Sequence, residues 1–421
     1  MKKFQFLLVL CCIATWSNAA EITLDSCQSK ARINHPLLRQ AGILDQISEL
    51  RQQNIETLNL PQFDLTARAS WQSDVTKLAL KMPGFAGPEP LSKDQYKTYI
   101  DIKQRIYDGG FAQKSKELEE ANRLVSKQQN ETELYKIKET VNTLYFNALI
   151  LQKNLKIVNL KREILNEQIK SIRSGVENGV SLPNNLDQLI GEKLLTDQQE
   201  VELKSSYTTT ISLMEIITGV SFSEQTTFAE PPRIGTVVND ELNRPEILLF
   251  TLQQSKLEKS EQVIKNNRNP FIYAFGQGGY GRPGFNMLEN NFADFYMVGA
   301  GLSWNIWDWH KNRRERSVIK LQKNLISSNL DNFTRSIKMA LKQEENNAIK
   351  ITALISTDEK LVIIKEQITT RSSSALKNGM ITSADFIRDL NAALQAKANL
   401  ETHKLQLDQT MINYKTIKGN K

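Results

Sequence analysis

Ile106-Tyr107-Asp108 recurs in the second half of the chain as Ile306-Trp307-Asp308. Asn178-Gly179 recurs in the same way as Asn378-Gly379, roughly 200 residues later. These are turn and junction residues, and chance similarity of composition would not align them. The spacing therefore predicts a tandem duplication, in which each half builds the same supersecondary unit.

The first twenty residues have the order of a secretory signal peptide. Lys2 and Lys3 precede an apolar run from Phe4 to Ala14, and the small residues Ser17 to Ala20 follow. We therefore place a signal peptide at residues 1–20. The run is too short for a membrane span, and no later stretch reaches the ~18 apolar residues that a membrane helix needs.

The remaining composition gives no sign of a catalytic or metal site. Cys27 is the one cysteine after the predicted signal peptide, so we expect an inert thiol and no intrachain disulfide. His35, His310 and His403 lie far apart without ligand-spaced neighbours, so we predict no metal, no cofactor and no enzyme activity. The net charge of +7 is spread over interleaved Lys and Glu, which favours solvated helix faces and no nucleic-acid partner.

Two long stretches without glycine or proline predict long helices. They run from Phe111 to Ser174 and from Lys311 to Asn378, and as helices they would extend roughly 95 to 100 Å. Apolar residues recur in both at three- and four-residue steps, as in a coiled-coil seam; they are Ile137, Val141, Leu144, Leu151, Leu155, Val158, Leu354, Leu361, Ile364 and Ile368.

Each long helix is followed by a turn and a shorter helix. The Asn-Gly pairs supply the left-handed backbone that ends a helix, and Ser383 with Asp385 is suited to cap the next one. The second helices are predicted at about Asn184 to Thr218 and Ser383 to Lys418. Each half should therefore contain a helical hairpin with unequal arms.

Alternating residues upstream of each hairpin predict β-strands near 62–72, 96–106, 270–281 and 295–306. We expect one apolar face and one polar face. The apolar face is predicted to include Leu65, Ile100, Val298 and Leu302, with Phe271, Tyr273 and Phe275 as its continuation on the third strand, and Ser303 is predicted to face the other way. The glycine cluster from Gly276 to Gly281 is expected to be an outer loop at a strand end.

The strand pattern fits an outer-membrane barrel, although a half-buried strand in a soluble sandwich gives the same alternation. Four strands cannot close a barrel, and an open sheet in lipid leaves backbone groups unsatisfied, so several protomers would have to contribute strands. An outer-membrane barrel built by several protomers explains the signal, strands, duplication and hairpins together. A periplasmic coiled-coil adaptor or scaffold leaves the strands unexplained, and a secreted enzyme would need a polar site that is not found.

In their order, these motifs resemble the TolC-like outer-membrane efflux protein family. The resemblance rests on Asn34-His35-Pro36 and Asn243-Arg244-Pro245 before helices, on the repeated strand-to-helix junction, and on the repeated Asn-Gly turns. It implies a mixed α and β fold: a homotrimer with a 12-stranded barrel in outer-membrane lipid and an α-helical tunnel. It also implies the function of an outer-membrane exit duct in a tripartite efflux pump or type I secretion system, with a membrane-fusion adaptor and an inner-membrane pump or ABC transporter as partners. The repeats would cover residues 21–219 and 244–421, with a linker at 220–243.

The same resemblance implies the functional residues. The hairpin tips would contact the adaptor through Asn178, Gly179, Ser181, Asn378, Gly379 and Thr382. Asp385 would form the narrowest part of the tunnel, and Arg388 stands where double-acid relatives have a second acid. Leu376 and Ile381 replace a Tyr and an Arg of the relatives' closing latch, so packing rather than salt bridges is expected to hold the tunnel shut.

Overall fold

The protein is mainly helical, with one small sheet. The computed structural model describes residues 22–76, 90–223, 226–232 and 241–419, so the predicted signal peptide lies outside the described residues. The elements run in chain order as α1 (Leu24–Asn34), α2 (Pro36–Glu56), β1 (Gln62–Trp71), β2 (Asp94–Tyr107), α3 (Phe111–Glu177), α4 (Pro183–Thr218), α5 (Pro245–Asn266), β3 (Phe271–Arg282), β4 (Ala293–Ser303), α6 (Lys311–Lys377) and α7 (Ser383–Lys418).

The element order repeats as the sequence predicts. The series α2-β1-β2-α3-α4 is followed by α5-β3-β4-α6-α7, and α3 and α6 each have 67 residues. The two hairpins of long and short helices are therefore confirmed. None of the described helices combines the length and apolar character that a membrane crossing requires.

Two compact units make up the chain, and each takes segments from both repeats. One contains residues 1–39, 131–245 and 333–421, and the other contains residues 40–130 and 246–332. The first holds the helical hairpins and the second holds the sheet. The unit boundaries fall inside α2, α3, α5 and α6, so each of these helices has residues in both units.

The sheet of the second unit is antiparallel with the order β1-β2-β3-β4. Three strands lie near their predicted positions, but β4 ends at Ser303, before the predicted end at 306. The expected outer loop from Gly276 to Gly281 is wrong, because these residues lie inside β3. A Cβ on Gly279 or Gly281 would collide with β2, so the glycines allow close strand approach rather than a loop.

The first unit has a buried core between helices of both repeats. In one cluster, α1 packs on α3 through Leu24, Cys27 and Ala31, together with Tyr145 and Phe146. The hydroxyl of Tyr145 donates to the carbonyl oxygens of Ile22 and Ala229, at 2.7 and 2.6 Å. Cys27 is completely buried, as expected for an inert thiol, and burial raises its pKa to about 11.

A second cluster joins the two hairpins near their turns. Its buried members lie on α3, α4, α6 and α7; they are Leu165, Ile169, Ile172, Leu189, Leu376, Phe386, Leu390 and Leu394. The seam predicted on α3 is partly buried, and Val141 and Val158 lie in the interior. The seam predicted on α6 differs, since Leu361 and Ile364 remain exposed in a single chain.

Candidate functional site

The pairing register gives the sheet one apolar face. Leu65 pairs with Ile100, Ile100 with Gly278, and Gly278 with Tyr296. Directly paired residues point to the same side of a sheet, and residues two apart on one strand do as well. Val298 and Leu302 therefore share this face with Leu65 and Ile100, as the alternation predicts.

The aromatic run on β3 lies on the opposite face, so its predicted position is wrong. Phe275 pairs with Gly299 and Tyr273 pairs with Gly301. The two rings occupy the space that a Cβ on either glycine would need. Alternation alone grouped aromatic with aliphatic residues, whereas the register pairs these rings with glycines that make room for them.

Polar and charged side chains share this second face. The amide of Gln277 donates to Asp101 at 2.9 Å, and the guanidinium of Arg105 lies 5.1 Å from the ring centre of Phe271. The other charged side chains at these alternate positions are Asp64, Arg68, Lys97 and Lys103. The sheet thus has an aliphatic side and a side of charges and packed aromatics.

In the first unit, both hairpin turns are built on left-handed glycines. Gly179 has φ 72° and Gly379 has φ 70°, and the backbone nitrogen of each donates to a carbonyl of its long helix. The predicted turn residues Asn178 and Asn378 are exposed, Ser181 is half-buried, and Thr382 is exposed. The prediction that Asn-Gly ends each long helix is confirmed.

The turns also display apolar side chains that the sequence reasoning did not select. Val180 is 78% exposed and Met380 is 70% exposed, and Leu182 is similarly open. Each is an apolar residue inside a short polar turn, and this was the signal available in the sequence. Such groups offer contact area to a partner protein.

The two hairpins are joined by polar contacts close to these turns. The side-chain oxygen of Asn185 accepts from the backbone nitrogen of Ser383 at 3.2 Å. Glu192 accepts from Lys161 at 2.6 Å and from Asn391 at 2.9 Å. Burial alone would raise the pKa of Glu192, but the hydrogen bonds from Lys161 and Asn391 outweigh it and lower the pKa.

Asp385 and Arg388 lie together on the first turns of α7. Thr382, rather than Ser383, is the N-cap: its hydroxyl accepts from the backbone nitrogen of Asp385, and Asp385 accepts from the backbone nitrogen of Thr382. Arg388 lies 3.2 Å from the Asp385 carboxylate. The hydrogen bond from the Thr382 side chain, with the backbone bond and the Arg388 charge, lowers the pKa of Asp385.

Asp389 adds a carboxylate that sequence reasoning missed. It accepts from Ser372 of α6 at 2.5 Å and lies 3.7 Å from Arg388. Arg388 therefore has two acidic neighbours, of which only Asp385 was foreseen from the i, i+3 spacing.

Leu376 and Ile381 enter the core between the hairpins of a single chain. Leu376 is only 2% exposed, and Ile381 packs against the same cluster. Both side chains therefore pack within the unit that carries the turns.

Comparison with known proteins relates part of the chain to a family. The sequence model described as "Outer membrane efflux protein" matches residues 28–219. The comparison with curated proteins found no matching sequence.

Solved structures share the fold along almost the whole chain. The structure of CusC is 12% identical with a TM-score of 0.70, over 96% of this chain and 93% of that one. CmeC of Campylobacter jejuni is 15% identical with a TM-score of 0.66, over 94% and 85% of the two chains. VceC of Vibrio cholerae is 12% identical with a TM-score of 0.68, over 94% and 96%.

These identities are low, so the solved structures show the shared architecture, and the sequence match covers less than half of the chain. Residues 28–219 are similar to outer membrane efflux proteins, and the chain as a whole shares the fold of CusC and VceC.

Proposed function

We propose that the protein is the homotrimeric exit duct of a tripartite efflux pump or type I secretion system. In this proposal, substrates pass from an inner-membrane transporter and its periplasmic adaptor through the duct to the outside. The observation that carries the proposal is the four-stranded sheet, which has one aliphatic face, one charged face and two outer strands, β1 and β4.

The outer strands support closure by several copies. Lipid offers no hydrogen-bond partner to an open strand edge, so a lone four-stranded sheet is unstable in a bilayer. If β1 of one protomer pairs with β4 of the next, three copies give the twelve strands of a closed barrel. The aliphatic face would then meet lipid, and the face with Asp101 and Arg105 would line the lumen.

The helix α6 supports the same assembly. Val318, Leu325 and Met339 share one heptad position on it, and all three are exposed. Leu321 and Ile349 share the position three residues later, and Ile349 is 69% exposed. An apolar seam of this kind is stable in water when a second helix covers it, which a neighbouring protomer would do.

The hairpin turns are the proposed contact for the adaptor. Their polar residues are those expected from the family resemblance, and the exposed Val180, Leu182 and Met380 add apolar contact area. A partner helix with matching apolar residues would bury these side chains on docking. We therefore assign the turns to the adaptor and leave the sheet to the membrane.

Asp385 with Arg388 is the proposed constriction of the tunnel. A threefold ring of carboxylates would favour cations, and the guanidinium beside each carboxylate would weaken that preference. In planar bilayers we expect Asp385→Ala to reduce cation selectivity and Arg388→Asp to increase it. If both variants keep the parent's selectivity, the pair lies outside the conducting path.

Disulfide trapping tests the trimer directly. Within one chain β1 and β4 are separated by two strands, about 14 Å at ~4.8 Å per step, which exceeds disulfide reach. Cysteine at Ala67 combined with a scan from Tyr296 to Leu302 should therefore give only intermolecular bonds. We expect one register to yield a ladder that ends at three chains, with each single-cysteine variant as the control. Absence of any bond in conducting protein would contradict closure through these edges.

A further inference from the structure

The strand register arranges the charges on the polar face of the sheet in rows of like sign. Asp64 on β1 pairs with Asp101 on β2, and further along the same two strands Arg68 pairs with Lys97. Like charges at directly paired positions repel each other and destabilise a sheet. Each row is therefore stabilised only if charges of the opposite sign approach it from outside the pair.

The acidic row has neighbours of opposite charge within the chain. Lys103 is diagonally opposite Asp64 and two residues from Asp101 on the same strand, so it shares their face. The amide of Gln277 donates to Asp101 at 2.9 Å. Arg105 follows Lys103 on the same face of β2. This end of the polar face thus carries two acidic and two basic side chains, and their charges balance.

The basic row has no such neighbours in the described part of the chain. The guanidinium of Arg68 is exposed and forms no ion pair or hydrogen bond with any described residue. The side chain of Lys97 extends over Gly281, and its Nζ lies 5.9 Å from the ring centre of Phe295. The positions that flank the row on the same face of β1 and β2 carry no acid; they are Thr66, Ser70, Gln95 and Tyr99. The two positive charges of this row are therefore not balanced.

Closure of the barrel would leave this row without a carboxylate. If β1 pairs with β4 of the next protomer and the aliphatic faces stay together, only one set of β4 side chains lies on the face of Arg68. That set contains no acid in any register; it consists of Ala293, Phe295, Met297, Gly299, Gly301 and Ser303. The acidic residue of β4, Asp294, belongs to the other face. Three copies would therefore place six cations in one row around the lumen.

We propose that Arg68 and Lys97 form an anion site in the lumen, which binds oxyanion groups of passing solutes and favours anionic cargo. The inference rests on the proposed function, because this face lines a conducting path only in a closed barrel. Guanidinium and ammonium groups both donate hydrogen bonds to carboxylate and phosphate oxygens. Rings of basic side chains select anions in channels. The effect of this row on ions is therefore opposite to that of the Asp385 carboxylate.

Reversal potentials in planar bilayers test the charge of the row. The full chain is measured under a potassium chloride gradient near ~0.1 M, where the Debye length is about 10 Å. Arg68→Gln combined with Lys97→Gln should lower the permeability ratio of chloride to potassium at least about threefold, and salt near ~1 M should remove most of this difference. The matched control, Asp64→Asn with Lys103→Gln, removes one charge of each sign from the same face and should keep the parent's ratio.

The two proposals fail in different ways. Equal ratios for the parent and the double glutamine variant at low salt would overturn the anion site and leave the duct intact. A parent protein that forms no conducting pore would refute the proposed function, and the anion site with it.

Cysteine modification tests the same site in protein that is already folded and conducting. In Arg68→Cys, a trimethylammonium methanethiosulfonate restores the positive charge, whereas a sulfonate reagent of similar size introduces a negative one. Cys27 is completely buried, so we expect it not to react. The first reagent should raise the permeability ratio of chloride to potassium, and the second should lower it. A ratio that neither reagent changes would show that this position lies outside the conducting path.

Block by oxyanions tests binding itself. Citrate and inorganic phosphate are added separately, each at a concentration that halves the parent's chloride current. The double glutamine variant should lose most of this block, whereas the Asp64→Asn, Lys103→Gln control should keep it. Block of the parent by one probe alone would assign the site to carboxylate or to phosphate. No block of the parent by either probe, or equal block of the double glutamine variant, would overturn the proposal.

Discussion

Val298→Arg is the sharpest test of the sheet's orientation. Val298 is 78% exposed on the aliphatic face and lies in the middle of β4, about 17 Å along the strand from either end. Arginine on the lipid face costs about 2 to 4 kcal/mol at the bilayer midplane and ~0 to 1 kcal/mol near the interfaces. For the larger cost, the ratio of folded to unfolded protomer would fall roughly 30- to 900-fold. A trimer would carry the substitution three times. Leu302 is next to the strand end, so Leu302→Arg should cost only the smaller amount.

Refolding into phosphatidylcholine vesicles under a urea gradient measures this cost. The temperature at which the oligomer dissociates in detergent is a second measure of it. Met297→Arg is the matched control, since Met297 is the adjacent residue on the opposite face. We expect Val298→Arg to lower the urea midpoint strongly, Leu302→Arg weakly and Met297→Arg least. If Met297→Arg and Val298→Arg are equally harmful, the assignment of faces is refuted.

Three further outcomes follow from buried contacts. Leu376→Ala should cost about 2 to 5 kcal/mol in urea unfolding, whereas Leu182→Ala on the exposed turn should change stability by less than about 0.5 kcal/mol; equal effects would contradict the core assignment. Gly299→Val should destabilise the sheet, and adding Phe275→Ala should restore part of the loss, because the ring occupies the Cβ space. Burial raises the pKa of Cys27 from 9.0 to about 11, so the stability it contributes is present below pH 9.0 and lost as pH rises towards 11; Cys27→Ala should flatten the fall in urea midpoint across this window.

The helices were predictable because their signals are local. A stretch without glycine or proline that begins at Phe111 needs no knowledge of distant residues to be read as a helix, and an Asn-Gly pair ends it with its own backbone preference. The apolar alternation on β4 was equally local. It placed Val298 and Leu302 on one side of the strand before any pairing was known.

What failed depended on pairing between distant segments. The face of Phe275 follows from its pairing with Gly299, and the close approach of Gly279 to Tyr99 follows from the register of β2 with β3. A shift of one residue would have moved every side chain to the other face, and alternation alone does not fix that shift. Asp389 was missed for a similar reason, since its partner Ser372 lies on a different helix.

The duplication explains why one repeat is free to differ from the other. Asp108 and Asp308 make the same local structure, each accepting from the backbone nitrogen four residues later, at 2.7 and 2.9 Å. This bond holds the backbone of the turn and does not depend on the side chains that follow. The size of the side chains at the two left-handed positions is therefore limited by the residues packed around them. Asn269 leaves no space at Gly109, whereas the open side of Trp309 allows a ring. A duplicated backbone therefore provides two copies of one turn, and the packing around each copy decides which side chains it accepts.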